Sequence, residues 1–351
     1  MKLFVTGGAG FIGSNFIRHV LSLSANFAVV NFDKLTYAGN LSNLEPIGQN
    51  SAYQFINGDI CDPVAVEAGM DGCDGVVHFA AESHVDRSIY EPAVAIETNL
   101  TGTFILLEVA RKLGIRRFLH VSTDEVYGDI APGTYTEEDS PLRPGSPYAA
   151  SKAGADLIVG SFVRTYGFPA IITRASNNYG PYQFPEKFLP LMITNALEDK
   201  QLPIYGDGRQ EREWLHVEDN CRGIREVLMR GRVGEVYNIG GLDVVQNLSL
   251  ARRLLGLLGK PESLLSFVAD RPGHDRRYAM TSRKIKSELG WKPEISLDAG
   301  LRQTIDWYMN NGSWLAAVRG GDYRAYYQEC YVNRDASLFA IAGSAHESSR
   351  S

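Results

Sequence analysis

Residues 7–13 read GGAGFIG and follow directly on the apolar run Leu3–Thr6. The apolar run has the pattern of a buried strand, and Ile12–Leu23 has the periodicity of an amphipathic helix. Glycine at position 7 permits a tight turn, glycine at 10 lets the backbone approach a pyrophosphate, and glycine at 13 permits close packing of helix on strand. The stretch therefore predicts a strand-turn-helix unit whose helix N-terminus binds the phosphates of a dinucleotide.

An acidic residue favours this interpretation over that of a merely flexible connection. Asp33 lies 20 residues beyond Gly13, at the end of the second predicted strand. A carboxylate in that position accepts hydrogen bonds from the hydroxyl groups of an adenosine ribose and repels a 2′-phosphate. The combination predicts binding of NAD in preference to NADP, although the charge of the adjacent Lys34 acts in the opposite direction.

Strand and helix patterns alternate through the first half of the chain. The predicted strands are Leu3–Thr6, Ala28–Phe32, Tyr53–Asn57, Gly75–Ala80, Arg117–Ser122 and Ala170–Arg174. The longer predicted helices are Ile12–Leu23, Ala93–Leu113 and Ala149–Tyr166. Such alternation predicts an α/β fold with a Rossmann-type, doubly wound parallel sheet, which binds its ligands beyond the carboxyl ends of the strands.

The pattern becomes irregular after residue 176, where four prolines between residues 181 and 203 interrupt it. We therefore predict an NAD-binding domain at residues 1–176 and a smaller, discontinuous C-terminal substrate domain at residues 177–213 and 241–333. Residues 214–240 again read as strand, helix and strand, which predicts a return to the first domain. The tail at residues 334–351, rich in Ser and Ala, is expected to be mobile.

Composition and charge restrict the class of protein. The chain has 351 residues, of which 44% are hydrophobic, enough for a large core. It contains no run of about 18 apolar residues and no signal-peptide cleavage pattern, and its four cysteines form no C-x-x-C pair. The net charge of −6 disfavours nucleic acid and anionic membranes as partners. We therefore expect a cytoplasmic protein with neither of these partners.

A tyrosine and a lysine stand four residues apart at Tyr148 and Lys152. Four residues are about one turn of a helix, so both side chains lie on one face. A neighbouring ammonium group favours the phenolate form of tyrosine, which can then act as a base. Ordinary surface pairs have the same spacing, but the hydroxyl groups of Ser122 and Thr123, at the end of a predicted strand, favour a catalytic interpretation.

The glycine spacing and the Tyr-x-x-x-Lys pair resemble those of the extended branch of the short-chain dehydrogenase/reductase superfamily. This resemblance implies that Thr123, Tyr148 and Lys152 carry out hydride transfer, with Lys152 also bonding the nicotinamide ribose. Asp124 and Glu125 follow Thr123 directly, a couple that sugar epimerases and decarboxylases of this branch usually lack. Two carboxyl groups in unlike environments hold different protonation states, as the acid and the base of an elimination must. An acidic loop after a strand is the plain alternative.

Several longer motifs resemble those of the dTDP-glucose 4,6-dehydratases, from Met1 to about Asn333. They are DKLTYAGNL at residues 33–41, GDI at 58–60, HFAAESHVDRS at 78–88, SNNYGPY at 176–182 and RPGHD at 271–275. The resemblance implies an enzyme that converts dTDP-glucose to dTDP-4-keto-6-deoxyglucose and water. The fourth carbon is oxidised by NAD, water is eliminated across the fifth and sixth carbons, and the hydride returns to the sixth. The cofactor is therefore regenerated in each turnover.

The resemblance also implies three sets of site residues. The catalytic residues are Thr123, Asp124, Glu125, Tyr148 and Lys152. The NAD-binding residues are Gly7, Gly10, Phe11, Ile12, Gly13, Asp33, Lys34, Leu35, Thr36, Asp59, Ile60, Phe79, Ala80, Ala81, Glu82, Ser83, Thr98, Tyr148, Lys152 and Asn178. The substrate-binding residues are Ser83, Thr123, Asn177, Lys187, Phe188, Pro203, Ile204, Tyr205, Arg212, Asn247, Arg271 and His274. No metal is expected, because the seven histidines show no ligand spacing.

Other activities and assemblies remain open from the sequence. A UDP-sugar 4-epimerase or decarboxylase of the same superfamily shares the cofactor, Tyr148 and Lys152 but needs no acid-base pair at 124 and 125. The same dehydration can take place on UDP-glucose. A non-enzymatic dinucleotide-binding scaffold is a third alternative. The resemblance further implies a homodimer through two helices of the first domain, Ala93–Leu113 and Ala149–Tyr166.

Overall fold

The computed structural model describes residues 1–23 and 26–320, and the tail predicted to be mobile lies outside these residues. Within them the strands are β1 (Lys2–Thr6), β2 (Ala28–Asp33), β3 (Tyr53–Asn57), β4 (Gly75–His78), β5 (Phe118–Thr123), β6 (Ala170–Ala175), β7 (Asn177–Tyr179), β8 (Leu202–Tyr205), β9 (Glu211–His216), β10 (Val236–Ile239), β11 (Asp243–Gln246) and β12 (Leu265–Val268).

The α-helices are α1 (Phe11–Leu23), α2 (Pro63–Met70), α3 (Val85–Tyr90), α4 (Pro92–Ile96), α5 (Thr103–Lys112), α6 (Pro147–Tyr166), α7 (Phe188–Leu197), α8 (Val217–Arg230), α9 (Asn247–Leu258), α10 (Arg283–Leu289), α11 (Leu297–Asn310) and α12 (Gly312–Val318). Short 3₁₀ helices cover Leu41–Ile47, Asp124–Tyr127 and Glu262–Leu264, and a π-helical segment covers Glu97–Gly102.

Seven parallel strands form the central sheet in the order β3-β2-β1-β4-β5-β6-β10. The chain therefore starts at the centre, winds to one edge and then returns to wind to the other, which is the doubly wound arrangement. Thr6 at the end of β1 pairs with Phe32 on one side and with His78 on the other, so the carboxyl ends of these strands are aligned. The predicted fold class is confirmed, and the six predicted strands occur with ends shifted by at most two residues.

Two smaller sheets lie in the second half of the chain. One has the order β11-β9-β7, and the other pairs β12 with β8 in parallel. Residues 214–240 were expected to return to the first domain as a whole, but β9 pairs with β7 and β11, whereas only α8 and β10 pack on the central sheet. Parallel pairing with Asn177–Tyr179 holds β9 away from the central sheet.

The helix expected at Ala93–Leu113 differs in one respect from the prediction. Its middle, Glu97–Gly102, is π-helical, and this wider turn joins α4 to α5. The side chain of Asn99 in this segment donates to the carbonyl of Glu82 at 2.9 Å and accepts from its amide at 2.8 Å. The π-helical geometry therefore occurs together with a tertiary contact between Asn99 and Glu82, which helical periodicity in the sequence does not predict.

Two buried clusters cover the faces of the central sheet, and a third fills the second half of the chain. Phe16 and Ile224 belong to the cluster under α1 and α8, and Leu107 belongs to the cluster on the opposite face. The third cluster includes Ile193 of α7 and Leu254 of α9, both fully buried. Burial on both faces explains why the central strands read as apolar runs, and it fixes the sheet edge on which the site is built.

Candidate active site

The backbone of the glycine turn between β1 and α1 packs so closely that Gly7 and Gly13 have no room for a side chain. Gly7 has a φ of +69°, and a Cβ there would lie 2.5 Å from the backbone nitrogen of Ala80. A Cβ on Gly13 would lie 2.3 Å from the carbonyl oxygen of Gly7. Gly10, by contrast, would meet only that same oxygen at 3.3 Å, so its absent side chain leaves room in front of the helix. The turn thus fits the pyrophosphate of a dinucleotide.

Asp33 is held at the end of β2, beside this turn. Its carboxylate accepts from the amide of Ala9 at 2.9 Å and from the amide of Leu35 at 2.8 Å. Burial raises the pKa of this carboxyl group, and the two backbone bonds act against that effect. Lys34 pairs with Asp59 at 2.6 Å, so its charge already has a partner. The Asp33 carboxylate is therefore placed to meet the ribose, as the preference for NAD requires.

The other residues expected to bind NAD follow the ends of the neighbouring strands. Phe79–Ser83 comes directly after β4, Ile60 follows β3, and Thr98 lies in the π-helical segment. Asn178 lies in β7, where its amide group donates to the carbonyl of Ser176 at 2.9 Å. Sequence reasoning missed Asn99, which fixes the backbone of Glu82 and also donates to the hydroxyl of Ser151 at 2.9 Å.

Tyr148, Lys152 and Thr123 meet at the carboxyl end of β5. Tyr148 is 7% exposed, and Thr123, whose hydroxyl donates to the carboxylate of Asp124 at 3.3 Å, lies near its phenol. Lys152 is 3% exposed and donates to the carbonyl of Val121 at 2.8 Å. Burial lowers the pKa of Lys152 to about 8. The spacing of four residues on α6 thus brings both groups to one place.

The protonation state of Tyr148 differs from the sequence-based expectation. Burial and then the charge of Glu125 raise the pKa of Tyr148, while the bond from Thr123 lowers it. Lys152 was expected to favour the phenolate, but desolvation of the phenolate is the larger effect. Burial therefore favours the neutral phenol of Tyr148, against the effect expected from Lys152.

Asp124 and Glu125 begin a 3₁₀ turn directly after β5, and their surroundings differ. Asp124 is 3% exposed, and burial together with the charge of Glu125 raises its pKa well above the ordinary range. Burial also raises the pKa of Glu125, but the cations Arg271, Arg212 and Lys187 act against it. The two carboxyl groups therefore differ in their surroundings, because cations oppose the rise in pKa chiefly at Glu125, and such a difference suits one acid and one base.

A cleft beside this pair encloses about 850 Å³ of empty space, including its open mouth. Ten of the twelve expected substrate residues line it, namely Ser83, Asn177, Lys187, Phe188, Pro203, Tyr205, Arg212, Asn247, Arg271 and His274. Thr123 lies next to the cleft, behind Glu125. Ile204 does not line it, because its side chain is fully buried in the core of the second half. Alternation along β8 turns Ile204 to the face opposite that of Tyr205.

Positive side chains converge on the cleft. Lys187 donates to the carbonyl of Ser83 at 2.6 Å, and Arg271 donates to the carboxylate of Asp86 at 2.6 Å. The guanidinium of Arg212 lies 4.2 Å from the centre of the Tyr278 ring. Three cations within one cleft suit a polyanionic ligand such as a diphosphate.

Buried polar atoms without partners indicate where a ligand would bind. Among the described residues, Asn177 Oδ1, Asn247 Oδ1 and Arg271 Nε are buried without a hydrogen-bond partner. Such groups cost stability unless a ligand or water satisfies them. The described residues contain no cluster of three His, Cys, Asp or Glu side chains that could hold a metal ion.

Eight residues of the cleft were missed from the sequence, and they are His84, Val85, Asp86, Glu186, Leu191, Met192, Trp214 and Tyr278. Three of them lie within the motif at residues 78–88, which was noted but not assigned beyond Ser83. Trp214 lies two residues after Arg212 on β9, where alternate side chains share a face, and Tyr278 lies four residues after His274. The motif and this alternation were the available signals.

The fold and the site together define a class. A doubly wound sheet with the glycine turn after β1, and with Thr123, Tyr148 and Lys152 at one strand end, is typical of an extended short-chain dehydrogenase/reductase. Residues 4–304 match the family model described as GDP-mannose 4,6 dehydratase. The chain therefore belongs to this family of nucleotide-sugar dehydratases.

Individual relatives support the same assignment. The dTDP-glucose 4,6-dehydratase of Shigella flexneri is 48% identical, over 95% of this chain and 100% of the relative. That of Streptomyces niveus is also 48% identical, over 92% and 97%. The structure of the Streptomyces venezuelae dTDP-glucose 4,6-dehydratase with NAD bound has a TM-score of 0.88 and 50% identity, covering 91% of this chain and 100% of that chain. A UDP-glucuronic acid 4-epimerase from Bacillus cereus, also solved with NAD, has a TM-score of 0.83 at 30% identity, covering 88% and 99%. The recognition made from the motifs is confirmed.

Proposed function

We propose that the protein is a dTDP-glucose 4,6-dehydratase that uses bound NAD to convert dTDP-glucose to dTDP-4-keto-6-deoxyglucose and water. The observation that carries the proposal is the buried pair Asp124 and Glu125, whose carboxyl groups lie in unlike electrostatic surroundings beside Tyr148. The cations of the cleft and the relatives at 48% identity support the choice of a nucleotide sugar as substrate.

NAD supplies the hydride acceptor and donor, and its oxidised form adds positive charge that favours the phenolate of Tyr148. The glycine turn and Asp33 would hold its adenosine half, and Lys152 its nicotinamide ribose. Tyr148 takes the proton of the 4-hydroxyl group as the fourth carbon is oxidised, while Thr123 orients that hydroxyl. Lys152 stabilises the charge that develops on Tyr148.

The 4-keto group makes the proton on the fifth carbon acidic. Glu125 removes that proton, and Asp124 donates a proton to the departing 6-hydroxyl group, which leaves as water. With the hydride returned to the sixth carbon, Glu125 gives the proton it removed back to the fifth carbon, while Tyr148 releases its proton to solvent and Asp124 takes one up. Elimination therefore needs Asp124 protonated and Glu125 ionised, which is the order that burial and the nearby cations favour.

The test compares Asp124→Asn and Glu125→Gln with the wild type on dTDP-glucose and UDP-glucose. We expect each variant to lower kcat by about 10²–10⁴-fold, the usual contribution of a general acid or base. The alkaline absorbance of the 4-keto-6-deoxy product and a mass loss of one water report the reaction. Glu67→Gln, which alters an exposed ion pair with Lys112, is the control. Wild-type turnover in both site variants would contradict these roles, and a product of unchanged mass would favour the 4-epimerase.

The same proposal divides the chain into an NAD-binding domain at residues 1–176, rejoined by about 214–240, and a nucleotide-sugar domain at 177–213 and 241–333. A cytoplasmic location without nucleic acid or membrane partners belongs to it as well. The net charge of −6 supports the absence of polyanionic partners.

A homodimer is the remaining part of the proposal. Pro92–Lys112 is long and apolar enough to pass a length and composition test for a membrane span, yet 44% of it is buried in the fold. On the outer face, Val94, Ile96 and Phe104 are more than two-fifths exposed, and Leu157 and Tyr166 of α6 are more than half exposed. A second copy packed on α4, α5 and α6 would cover exposed apolar side chains of this kind, with Leu157 as the most exposed of them.

Sedimentation at micromolar concentration tests this part. We expect a dimer for the wild type and a monomer for Leu157→Glu, because a buried, unpaired charge opposes association. Met229→Glu, which adds the same charge to a comparably exposed position on α8, should remain a dimer. A monomeric wild type, or a dimer insensitive to Leu157→Glu, would contradict the proposed face.

A further inference from the structure

Asp86 belongs to the motif at residues 78–88, and neither the cofactor site nor the chemistry uses it. It lies in α3, is 5% exposed and lines the cleft. Its two carboxylate oxygens have different partners. One accepts from Nη1 of Arg271 at 2.6 Å, and the other accepts from the hydroxyl of Tyr205 at 2.9 Å.

These two partners come from the other half of the molecule. Tyr205 ends β8, and Arg271 follows β12, which pairs with β8 in parallel so that Tyr205 lies opposite Val268. Asp86 instead follows β4 of the central sheet. The carboxylate of Asp86 thus links the carboxyl ends of β8 and β12, in the second half of the chain, to the half that carries the catalytic residues.

The ion pair with Asp86 compensates the charge of the largely buried Arg271. The side chain of Arg271 is only 15% exposed, and a cation so buried needs an anion while the cleft is empty. Asp86 supplies that charge through Nη1 alone, and the buried Nε of Arg271 has no partner among the described residues. The guanidinium is therefore held in place with donor capacity left for another anion.

The hydrogen bond from Tyr205 to Asp86 also orders the part of the cleft next to Arg271. The ring of Tyr205 packs edge-on against His274, with 6.1 Å between the ring centres. His274 in turn is bonded to Asp270 at 2.6 Å, which also accepts from the backbone amide of Arg271 at 2.9 Å. Fixing the hydroxyl of Tyr205 therefore fixes the face of an aromatic ring beside the guanidinium.

We infer that Asp86 is a positioning residue for the nucleoside diphosphate, holding Arg271 for the diphosphate and Tyr205 for the base before the substrate arrives. This inference rests on the proposed function for the identity of the ligand. A rigid, prearranged pair of groups binds more tightly because less conformational entropy is lost on binding.

Thymidine diphosphate is the probe, with its Kd measured by calorimetry on the NAD-loaded protein. We expect Asp86→Asn to weaken binding by about 10- to 100-fold, because Arg271 and Tyr205 then have to be ordered by the ligand itself. With dTDP-glucose, KM should rise while kcat stays within about twofold of the wild type. Asp199→Asn, which removes a carboxylate from an exposed pair with Lys260, should leave both quantities unchanged.

A double-mutant cycle separates positioning from a merely structural role. If Asp86 acts through Arg271, adding Asp86→Asn to Arg271→Gln should change the Kd little further. Tyr205→Phe removes only the hydroxyl that bonds Asp86, so it should weaken binding by a smaller factor and can be read even if Asp86→Asn folds poorly. Additive effects in the cycle, or tighter binding by Asp86→Asn, would overturn the inference. A wild type that binds thymidine diphosphate but does not dehydrate dTDP-glucose would refute the proposed function instead.

Discussion

The glycine turn and the cleft bind their ligands with different parts of the chain. At residues 7–13 the ligand would meet backbone amides, whose positions follow from glycines that are contiguous in sequence. The cleft instead presents charged side chains from segments that are far apart, such as Asp86, Lys187 and Arg271. Backbone groups occupy their places at little electrostatic cost, whereas buried charges require partners.

This difference shows in the ionisable groups. The glycine turn adjoins one buried carboxylate, Asp33, which two backbone amides stabilise. Glu125 lines the cleft, Asp124 adjoins it and Glu213 lies near Asp124, and burial raises the pKa of each. Elimination needs an acid and a base with displaced pKa values. The buried carboxyl groups at the cleft therefore lower stability, while the reaction depends on them.

Tyr148 lies between the glycine turn and the cleft, and we expect its substitution to have the largest effect on activity. Tyr148→Phe removes the proton acceptor of the hydride step, so we expect kcat to fall by about 10²–10⁴-fold. Bound NAD and the Kd for thymidine diphosphate should stay unchanged, because each region keeps its own contacts. Tyr135→Phe, at an exposed position, is the control. Loss of either ligand in Tyr148→Phe would show that the two regions are not separable in this way.

Glu213 tests the cost of buried carboxyl groups in the cleft region. Burial raises its pKa from 4.5 to about 7. Between these values the folded protein keeps a proton that the unfolded chain releases, so the free energy of unfolding falls as pH rises, by about 3 kcal/mol in total. Glu213→Gln lacks this contribution, so its stability should fall less between pH 5 and 7 in urea unfolding. Parallel curves for the two proteins would contradict the assignment.

Gly10 tests whether the dinucleotide region can be damaged alone. A Cβ at Gly10 meets only the carbonyl of Gly7, so Gly10→Ala should fold, yet it places a methyl group where the pyrophosphate approaches. We expect at least about tenfold weaker retention of NAD and an unchanged Kd for thymidine diphosphate. Gly256→Ala in α9, where a Cβ meets no atom within 4 Å, is the matched control. Equal NAD retention in both variants would mean that the turn does not approach the phosphates.

Lys34 should give the smallest effect. Its side chain is 62% exposed and paired with Asp59, and such surface pairs contribute little. We expect Lys34→Ala to change the affinity for NAD by less than about threefold and to leave NAD preferred over NADP, because Asp33 remains. Titration of the cofactor-free protein with each dinucleotide measures both constants. A large loss of NAD affinity would assign Lys34 a direct role.

Local patterns predicted the dinucleotide region well because its parts are neighbours in sequence. The spacing of Gly7, Gly10 and Gly13, and the alternation of strands and helices, follow from steric and periodic rules that act over a few residues. The same holds for Tyr148 and Lys152, since one helical turn joins them. The chain's membership in its family was also readable from contiguous motifs.

The sequence by itself thus determined the fold class and the family, and it placed the glycine turn and the adjacent carboxyl groups Asp124 and Glu125 that the proposed mechanism uses. Only the tertiary structure decided that burial raises the pKa of Tyr148, that β9 pairs away from the central sheet, and that Ile204 faces the core. It also brought Asp86 to Arg271, 185 residues further along the chain. Desolvation and long-range ion pairing depend on which segments meet in space, and no local rule of sequence contains that information.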